Sequence, residues 1–440
     1  MNRPSPMSGF PELLPGQRIV EQQVVDRLSR VFELHGFSSI NTRAVEPLDQ
    51  LLRKGETSKE VYVLRRLQAG DLDPADAGLG LHFDLTVPLA RYILENAGKL
   101  QFPFRRYQIQ PCWRGERPQD GRYREFLQAD IDVIDRDELS GHYEVELPLV
   151  IADALQSLPL PAMRMHVNNR KLSQGFYRGI GLDDPLGAIR IVDKLDKVGP
   201  DGVAKLLAET LQATDEQVRL CLELAQINST DESFVDRVRA LSVTDPLLDE
   251  GLAELSAVVS AAADQAPGLV VADMRIARGL DYYTGTVYET VMAGHESLGS
   301  VCSGGRYDEL AADGKNRFPG VGLSIGVSRI LVPLLHQKKL SASREVPTCV
   351  LVALPDVDSR RDCDRLAATL RQRGIASEVA PAAQKYGKQI RFAQRRGIPY
   401  VWFPASNEVR DIRSGEQVEA DPATWSPPTE DLRPTIRWSD

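Results

Sequence analysis

Arginine residues gather around one stretch of this sequence in a way that indicates chemistry. Six of them flank or lie within the polar, glycine-bearing stretch RGERPQDGRY: Arg105, Arg106, Arg114, Arg117, Arg122 and Arg124. A guanidinium group keeps its charge, and its rigid fork binds phosphate oxygens bidentately. The cluster therefore predicts a binding site for a phosphate-bearing ligand. A solvated hairpin with exposed arginines is the alternative that this stretch leaves open.

A polar row follows directly in the run 124–133, which has the alternation of a strand. Successive side chains of a strand point to opposite faces. One face is apolar and predicts core, and the other carries Gln128, Asp130 and Asp132. These polar groups could line a pocket. A water-exposed face of an antiparallel sheet would show the same alternation.

Two further groups lie far downstream. In ARGLDYYTGTVYE, Arg278 precedes a turn, and Tyr282 and Tyr283 open a predicted strand. In SGGRYD, the glycine pair permits close backbone approach or positive φ. Taken alone, tyrosine pairs are usually core or interface residues, and glycine pairs are usually turns.

The segment GVGLSIGVSRI places Arg329 about one turn into a helix that starts near Gly326. A helix N-terminus with a flanking arginine favours an anionic or nucleotide ligand, although helix arginines more often face solvent. The sequence contains neither a G-x-x-x-x-G-K-[ST] loop nor an H-E-x-x-H or G-x-S-x-G motif. P-loop and hydrolase functions therefore have little support.

The elements that must position these residues follow from the periodicity of apolar side chains. The first half of the chain predicts a helix over 17–36 that stops at Gly36, an alternating strand from Leu81, a helix from Pro88 to about Gly98, and an antiparallel pair over 104–113 and 124–135. Strand patterns return at 269–275 and 283–291, and 335–347 is polar. Beyond residue 347 the pattern β-α-β-α-β predicts a small α/β module.

Charge is distributed unevenly over the 440 residues, whose net charge is −9. That acidity argues against a protein that coats nucleic acid through bulk charge. The helix-patterned segment 183–267 carries 7 basic and 17 acidic residues, whereas 360–396 carries 10 basic and 3 acidic residues. The five cysteines are scattered and form no C-x-x-C pair. No signal peptide or bilayer span is expected, so the sequence predicts a reduced, cytoplasmic protein without a membrane association.

Taken in order, these segments resemble a known family. CWRGERPQDGRYREFLQADID resembles the second motif of class II aminoacyl-tRNA synthetases, and GVGLSIGVSRI resembles the third. RGLDYYTG and SGGRYD resemble the two peptides that mark the histidyl-tRNA synthetase family within that class. The resemblance runs from about Gly9 to the C-terminal module. The sequence departs from the family pattern at Arg43, where a proline is expected, and at Ser328, where an acidic residue is common.

The resemblance implies an α+β multidomain fold. Its catalytic core would be an antiparallel sheet flanked by helices, formed by residues 1–170 and 268–334. A mostly helical insertion would occupy 171–267, a linker 335–346, and an α/β anticodon-binding domain 347–440. The family also implies a homodimer.

The resemblance further implies that L-histidine is activated with ATP to histidyl-adenylate and then transferred to tRNA(His). Mg²⁺ would be carried with ATP, and no protein-held structural metal site is expected. Arg114 and Arg278 would be catalytic, at the α-phosphate and the attacking carboxylate. The implied ATP-binding residues are Arg114, Glu116, Arg122, Arg278 and Arg329, with Arg122 at the γ-phosphate and Arg329 at the adenine. The implied histidine-binding residues are Asp84, Thr86 and Gln128 for the amino and carboxylate groups, and Asp132, Tyr282 and Tyr283 for the imidazole.

Two alternatives share this resemblance. One is a non-catalytic, synthetase-like regulatory subunit of ATP phosphoribosyltransferase, and the other is a synthetase-like ligase that acts without tRNA. Such regulatory paralogues tend to lose the catalytic arginines and the C-terminal module. This chain keeps Arg114, Arg122, Arg278 and Arg329 together with a basic C-terminal module, and both observations favour the enzyme.

Overall fold

A computed structural model describes residues 5–52, 60–66, 78–277 and 282–439 of the chain. The chain forms two units. The described parts of 1–11 and 26–333 form the first unit, and those of 12–25 and 334–440 form the second. No helix within the described residues is long and apolar enough to cross a membrane.

The first unit contains a large sheet and a small one. Its strands are β1 Ser38–Ser39, β2 Val45–Pro47, β3 Val63–Leu64, β4 Leu79–Leu81, β5 Phe104–Trp113, β6 Glu125–Ile134, β7 Met163–Asn169, β8 Asn228–Ser229, β9 Val270–Asp273, β10 Thr286–Met292, β11 Cys302–Ala312 and β12 Arg317–Gly326. The large sheet has the order β1-β5-β6-β12-β11-β10-β7-β9-β8, and the small one has β2-β4-β3. Only the pairs β1–β5 and β7–β9 are parallel among these described strands. The expected antiparallel sheet is therefore confirmed.

The helices up to residue 336 lie in the segments before, between and after these strands, and the first and the last of them have residues in both units. They are α1 Pro15–Leu34, α2 Leu48–Leu51, α3 Thr86–Asn96, α4 His142–Gln156, α5 Arg170–Gly179, α6 Pro185–Val192, α7 Leu195–Leu211, α8 Asp215–Ala225, α9 Ser233–Arg239, α10 Pro246–Gln265 and α11 Val327–His336. Helix α4 packs against β6 and β12, and α3 packs against β11. The acidic segment 183–267 contains α6 to α10. The boundaries proposed for an insertion domain stay a prediction.

The central strand pair was predicted within one residue. Strands β5 and β6 pair antiparallel from Phe104 opposite Ile134 to Trp113 opposite Glu125. The predicted helix at the N-terminus is α1, which buries Val20 and Leu28 on one face. Gly36 follows it with φ +78°, a conformation that favours glycine.

The strand expected from Leu81 onward is wrong beyond that residue. Strand β4 ends at Leu81, and residues 82–85 are all buried without alternation. The physical reason is that the Asp84 side chain binds the backbone at the start of the next helix. Its Oδ1 accepts a hydrogen bond from the Val87 backbone N–H at 3.0 Å, which satisfies a donor at the start of α3.

The second unit contains the predicted alternation of strands and helices. Its elements are β13 Leu340–Ala342, β14 Val350–Val352, α12 Arg360–Gln372, β15 Ser377–Val379, α13 Tyr386–Arg396, β16 Tyr400–Phe403, β17 Glu408–Asp411, β18 Gln417–Glu419, α14 Thr429–Leu432 and β19 Ile436–Trp438. The main sheet has the order β15-β14-β16-β17-β18 and buries Trp402 completely. Strand β13 lies inside the segment interpreted as a linker and pairs with β19.

Candidate active site

Three cross-strand rows of polar and small residues lie on one face of the large sheet. The register aligns Arg106, Asp132, Gly322 and Gly305 in one row, Gln108, Asp130, Ser324 and Ser303 in the next, and Gln110, Gln128 and Gly326 in the third. Because these positions are two apart along each strand, they share a face. The predicted polar face of β6 is therefore confirmed. It is not the exposed face of a hairpin, because Asp130 and Asp132 are both 3% exposed.

Asp132 forms a buried ion pair with Arg106. Arg106 Nη2 lies 2.5 Å from Asp132 Oδ2, and the arginine is fully buried. The Tyr307 hydroxyl donates to Asp132 Oδ1 at 2.7 Å. A buried carboxylate loses its hydration, and an ion pair together with a hydrogen bond compensates for that loss. Asp132 is thus presented as a fixed hydrogen-bond acceptor.

The arginine cluster does not form a single site, which corrects the sequence interpretation. Arg106 forms an ion pair with Asp132, and Arg105 binds Glu146 through two hydrogen bonds of 2.6 and 2.9 Å. Burial favours such pairing, because an unpaired guanidinium away from water is costly. The neighbouring side chains of Arg105 and Arg106 are therefore already committed to carboxylates of this chain.

Glycines keep the row beside Asp132 free of side chains. A Cβ atom at Gly322 would lie 1.9 Å from Asp132 Oδ1, and one at Gly320 would lie 2.5 Å from the Tyr307 ring. At Gly305 it would lie 2.9 Å from the Tyr283 ring. The glycine pair of SGGRYD lies within β11 and not in a turn. Its glycines are required for close approach rather than for positive φ.

The two tyrosines precede their expected strand instead of opening it, because β10 begins at Thr286. Their ring centroids are 4.2 Å apart, and Tyr283 packs over Gly305. Burial, with the nearby Tyr282 and then Asp132, raises the pKa of Tyr283 well above its usual value. Its hydroxyl therefore stays protonated and available for hydrogen bonding.

A cleft opens beside the third row. Five of the residues implied by the family resemblance line it: Arg114, Glu116, Arg122, Gln128 and Arg329. Its remaining wall includes the apolar surface of Phe126 and Val301. A cleft with cationic side chains for phosphates and an apolar wall for a base suits a nucleoside triphosphate.

Backbone carbonyls orient two of the cleft arginines. Arg114 Nε donates to the Phe83 carbonyl at 2.9 Å, and its guanidinium lies 5.0 Å from the Phe126 ring centroid. Arg329 donates to the Gly121 carbonyl at 2.9 Å and to the Ser300 carbonyl at 2.6 Å. These contacts restrict both side chains before a ligand binds, which lowers the entropic cost of binding.

The other residues that the family resemblance implies for ATP are less constrained. Arg122 is exposed, and its Nη1 lies 3.7 Å from Glu116 Oε2. Ser328, the departure from the family motif, accepts a hydrogen bond from the Leu127 backbone N–H at 2.8 Å. It therefore holds the start of β6 to α11.

The residues implied for histidine binding all lie within the described part of the chain. Asp84 is buried, and Thr86 opens α3. Asp84 lies near the polar rows, since its charge contributes to raising the pKa of Asp130. Arg278 lies outside the described residues, and its role stays a prediction. No group of three or more His, Cys, Asp or Glu among the described residues could hold a metal ion.

Sequence reasoning missed Tyr307, Ser324 and the pairing role of Arg106. One signal was present in PGVGLSIG, where Gly320, Gly322, Ser324 and Gly326 alternate with larger apolar residues. Such alternation predicts a strand with one face free of bulk. The partners of that face, however, come from β6 and β11, which the local pattern does not identify.

Comparison with known proteins supplies a further set of findings. Residues 9–330 match the family model described as histidyl-tRNA synthetase, and residues 348–421 match the one described as anticodon binding domain. A histidine–tRNA ligase of Micrococcus luteus is 57% identical and one of Cutibacterium acnes is 56% identical, each over 99% of both chains. The crystal structure of histidyl-tRNA synthetase from Nostoc sp. PCC 7120 has a TM-score of 0.85 and 33% identity, covering 96% of this chain and 97% of that chain.

Proposed function

Because the chain belongs to the histidyl-tRNA synthetase family, we propose that it is an ATP-dependent ligase that joins L-histidine to tRNA(His). Its fold is that of a class II synthetase with a C-terminal anticodon-binding domain. The alternative of a regulatory subunit of ATP phosphoribosyltransferase is not favoured. Relatives at 50% identity or more over nearly their whole length are named as ligases.

The observation that best supports histidine as substrate is the buried pair of Arg106 and Asp132. Imidazole is a small ring with an N–H donor, and a pocket with the buried Asp132 carboxylate as acceptor would suit it. Tyr282 and Tyr283 would complete this pocket. An apolar isostere could not make the hydrogen bond that the imidazole would make to Asp132, and a missing bond of this kind costs about 1–3 kcal/mol.

The first reaction joins the substrate carboxylate to ATP. A carboxylate oxygen of histidine attacks the α-phosphorus, and the bond to the β-phosphate breaks, releasing pyrophosphate. Alignment and charge neutralisation carry this step, because no proton must move. We propose that Arg114 and Arg278 neutralise the α-phosphate and align the attacking carboxylate.

The remaining ATP contacts follow from the lining of the cleft. Arg122 would bind the γ-phosphate and Arg329 would cover the adenine. Glu116 lines the same cleft, with its Oε2 3.7 Å from Arg122 Nη1. Mg²⁺ would arrive with the phosphates and supply further charge neutralisation. In the second reaction the 3′ end of tRNA attacks the acyl carbon, and AMP leaves.

Asp84, Thr86 and Gln128 are proposed to hold the amino and carboxylate groups of histidine. The start of α3 supports this role, since backbone N–H groups at a helix N-terminus favour an anion. We also propose that the protein is a homodimer and that it acts in the cytoplasm. Both of these proposals rest on the family resemblance.

ATP–pyrophosphate exchange with each of the twenty amino acids tests the function directly. We expect exchange with histidine and none above background with the others. Exchange with another amino acid, or none with histidine, would contradict the proposal.

Contact with tRNA is proposed for a basic groove in the second unit. The exposed side chains of Lys388, Arg391 and Arg395 line it, together with Phe392. Cations that follow a phosphate backbone and an aromatic ring that stacks on a base are the usual elements of single-strand recognition.

Replacing both Arg391 and Arg395 by glutamate should lower kcat/KM for tRNA charging by about tenfold or more, because two cationic contacts become repulsive. Histidine-dependent pyrophosphate exchange should not change. The matched control is the double substitution Arg361→Glu and Arg365→Glu on α12, which alters the net charge equally outside the groove. Equal losses of charging in both proteins would contradict a specific role for the groove.

A further inference from the structure

A chain of hydrogen bonds leads from the cleft to a carboxyl group behind it. Gln128 Nε2 donates to Ser324 Oγ at 2.6 Å, and the Ser324 hydroxyl donates to Asp130 Oδ1. Gln128 and Ser324 line the cleft, whereas Asp130 does not. Asp130 is 3% exposed, and nothing in the family resemblance assigned it a role.

The chemistry of the carboxylate sets the direction of this chain. An ionised carboxylate only accepts hydrogen bonds, so the single Ser324 hydroxyl proton must point to Asp130. The remaining lone pairs of Ser324 can then only accept, and they require the NH₂ end of the Gln128 amide. This arrangement turns Gln128 Oε1 away from Ser324. Oε1 is buried and has no hydrogen-bond partner among the described residues.

The orientation matters because the amino group of an amino acid is an ammonium ion at neutral pH. An ammonium ion offers donors only and needs an acceptor. We infer that Asp130 is a positioning residue: through Ser324 it fixes the Gln128 amide so that the acceptor Oε1 faces the amino group of the substrate. The inference rests on the proposed function, which places Gln128 with Asp84 and Thr86 at the amino and carboxylate groups of histidine.

The charged and titratable groups around Asp130 make this chain of hydrogen bonds sensitive to pH. They are Arg106 on β5, Asp132 on β6, Asp84 before α3 and the Cys302 thiol on β11. Burial, opposed by Arg106 and reinforced by Asp132 and Asp84, raises the pKa of Asp130 to about 7.

Protonation of Asp130 reverses the donor and acceptor roles along the chain of hydrogen bonds. A carboxylic acid donates to Ser324, whose own proton is then free to point to Gln128, and the amide turns its NH₂ end to the cleft. Two donors would then face each other at the amino group. Histidine binding therefore weakens as the pH falls through about 7, the value to which burial raises this pKa.

Asp130→Asn tests the inference, because asparagine imitates the protonated carboxyl. The positive charge of Arg106 favours the amide oxygen on its side, which leaves NH₂ to donate to Ser324. At about pH 8 the histidine KM in pyrophosphate exchange should rise about tenfold, while the ATP KM changes less than about twofold. Towards about pH 6 the ratio of the variant's histidine KM to that of the wild type should approach one, as wild-type Asp130 becomes protonated. Titration of the substrate imidazole is common to both proteins and cancels in this ratio.

Ser324→Ala removes the middle of the chain and completes a double-mutant cycle. It should raise the histidine KM at about pH 8, and Asp130→Asn added to it should have no further effect. Asp137→Asn, an exposed position just after β6, should leave both KM values unchanged. Thermal unfolding and the ATP KM report whether each variant is folded.

Several outcomes would overturn the inference. One is an unchanged histidine KM in Asp130→Asn at about pH 8, where an ionised carboxylate is expected. Others are a KM ratio that does not vary with pH, and additive effects of Asp130→Asn and Ser324→Ala. Failure of the proposed function is distinguishable, because the wild type would then show no histidine-dependent exchange at all.

Discussion

Asp132→Asn should lower kcat/KM for histidine in pyrophosphate exchange by about 100-fold, because a charge-assisted hydrogen bond is worth roughly 1.5–3 kcal/mol. The substitution keeps the shape of the side chain and removes the charge that the imidazole is proposed to meet. It also removes the counter-charge of Arg106, so the pocket becomes electrostatically less suited to a cationic or donor ring. The ATP KM should change little, since the cleft proposed for ATP is lined by other residues.

Asp137→Asn is the matched control for this change. It makes the same chemical substitution a few residues away, at an exposed position with φ +65°, which asparagine tolerates well. Its kinetics should equal those of the wild type. Parallel increases in the histidine and ATP KM values of Asp132→Asn would indicate general damage to the site and contradict a specific imidazole contact.

Arg106→Met should reduce the free energy of unfolding by about 3–5 kcal/mol, the usual cost of removing one partner of a buried ion pair. Asp132 would remain in the protein interior beside Asp130 without a cation. Urea denaturation followed by fluorescence measures the change. Arg164→Met is the control, because Arg164 is an exposed residue of the same sheet, and its substitution should stay within about 0.5 kcal/mol.

The double substitution Arg106→Met and Asp132→Leu separates stability from function. Replacing a buried ion pair by apolar residues of similar volume is often neutral. The free energy of unfolding should therefore return towards that of the wild type, whereas histidine activation should be lost. A double variant as unstable as Arg106→Met would show that the ion pair is not the cause of the instability.

Local periodicity was sufficient to predict the central strand pair and the face that carries Gln128 and Asp132. Both are properties of one short run, in which the two-residue repeat decides the side of each residue. The same rule failed after Leu81, where the next residues are all buried. There the side chain of Asp84 binds the backbone of α3, and this contact outweighs the apparent alternation.

The partners of Asp132 and Gln128 could not be predicted in the same way. Tyr307 lies 175 residues after Asp132, and Ser324 lies 196 residues after Gln128. Their contacts depend on the register of β11 and β12 against β6, and a shift of one residue would turn every side chain to the other face. No local pattern fixes a register between strands so far apart. Only the family resemblance linked these segments in advance.

The glycines of β11 and β12 limit how the proposed histidine pocket could be redesigned. Pockets are commonly enlarged by replacing a bulky wall residue with alanine, but Gly305, Gly320 and Gly322 have no side chain to shorten. Enlargement for a bulkier amino acid would have to begin on the opposite side, at Tyr282 and Tyr283. Substitutions in the strands can only fill the space. When variants are selected for activity with bulkier histidine analogues, we therefore expect substitutions at or beside Tyr282 and Tyr283 and none at the glycines.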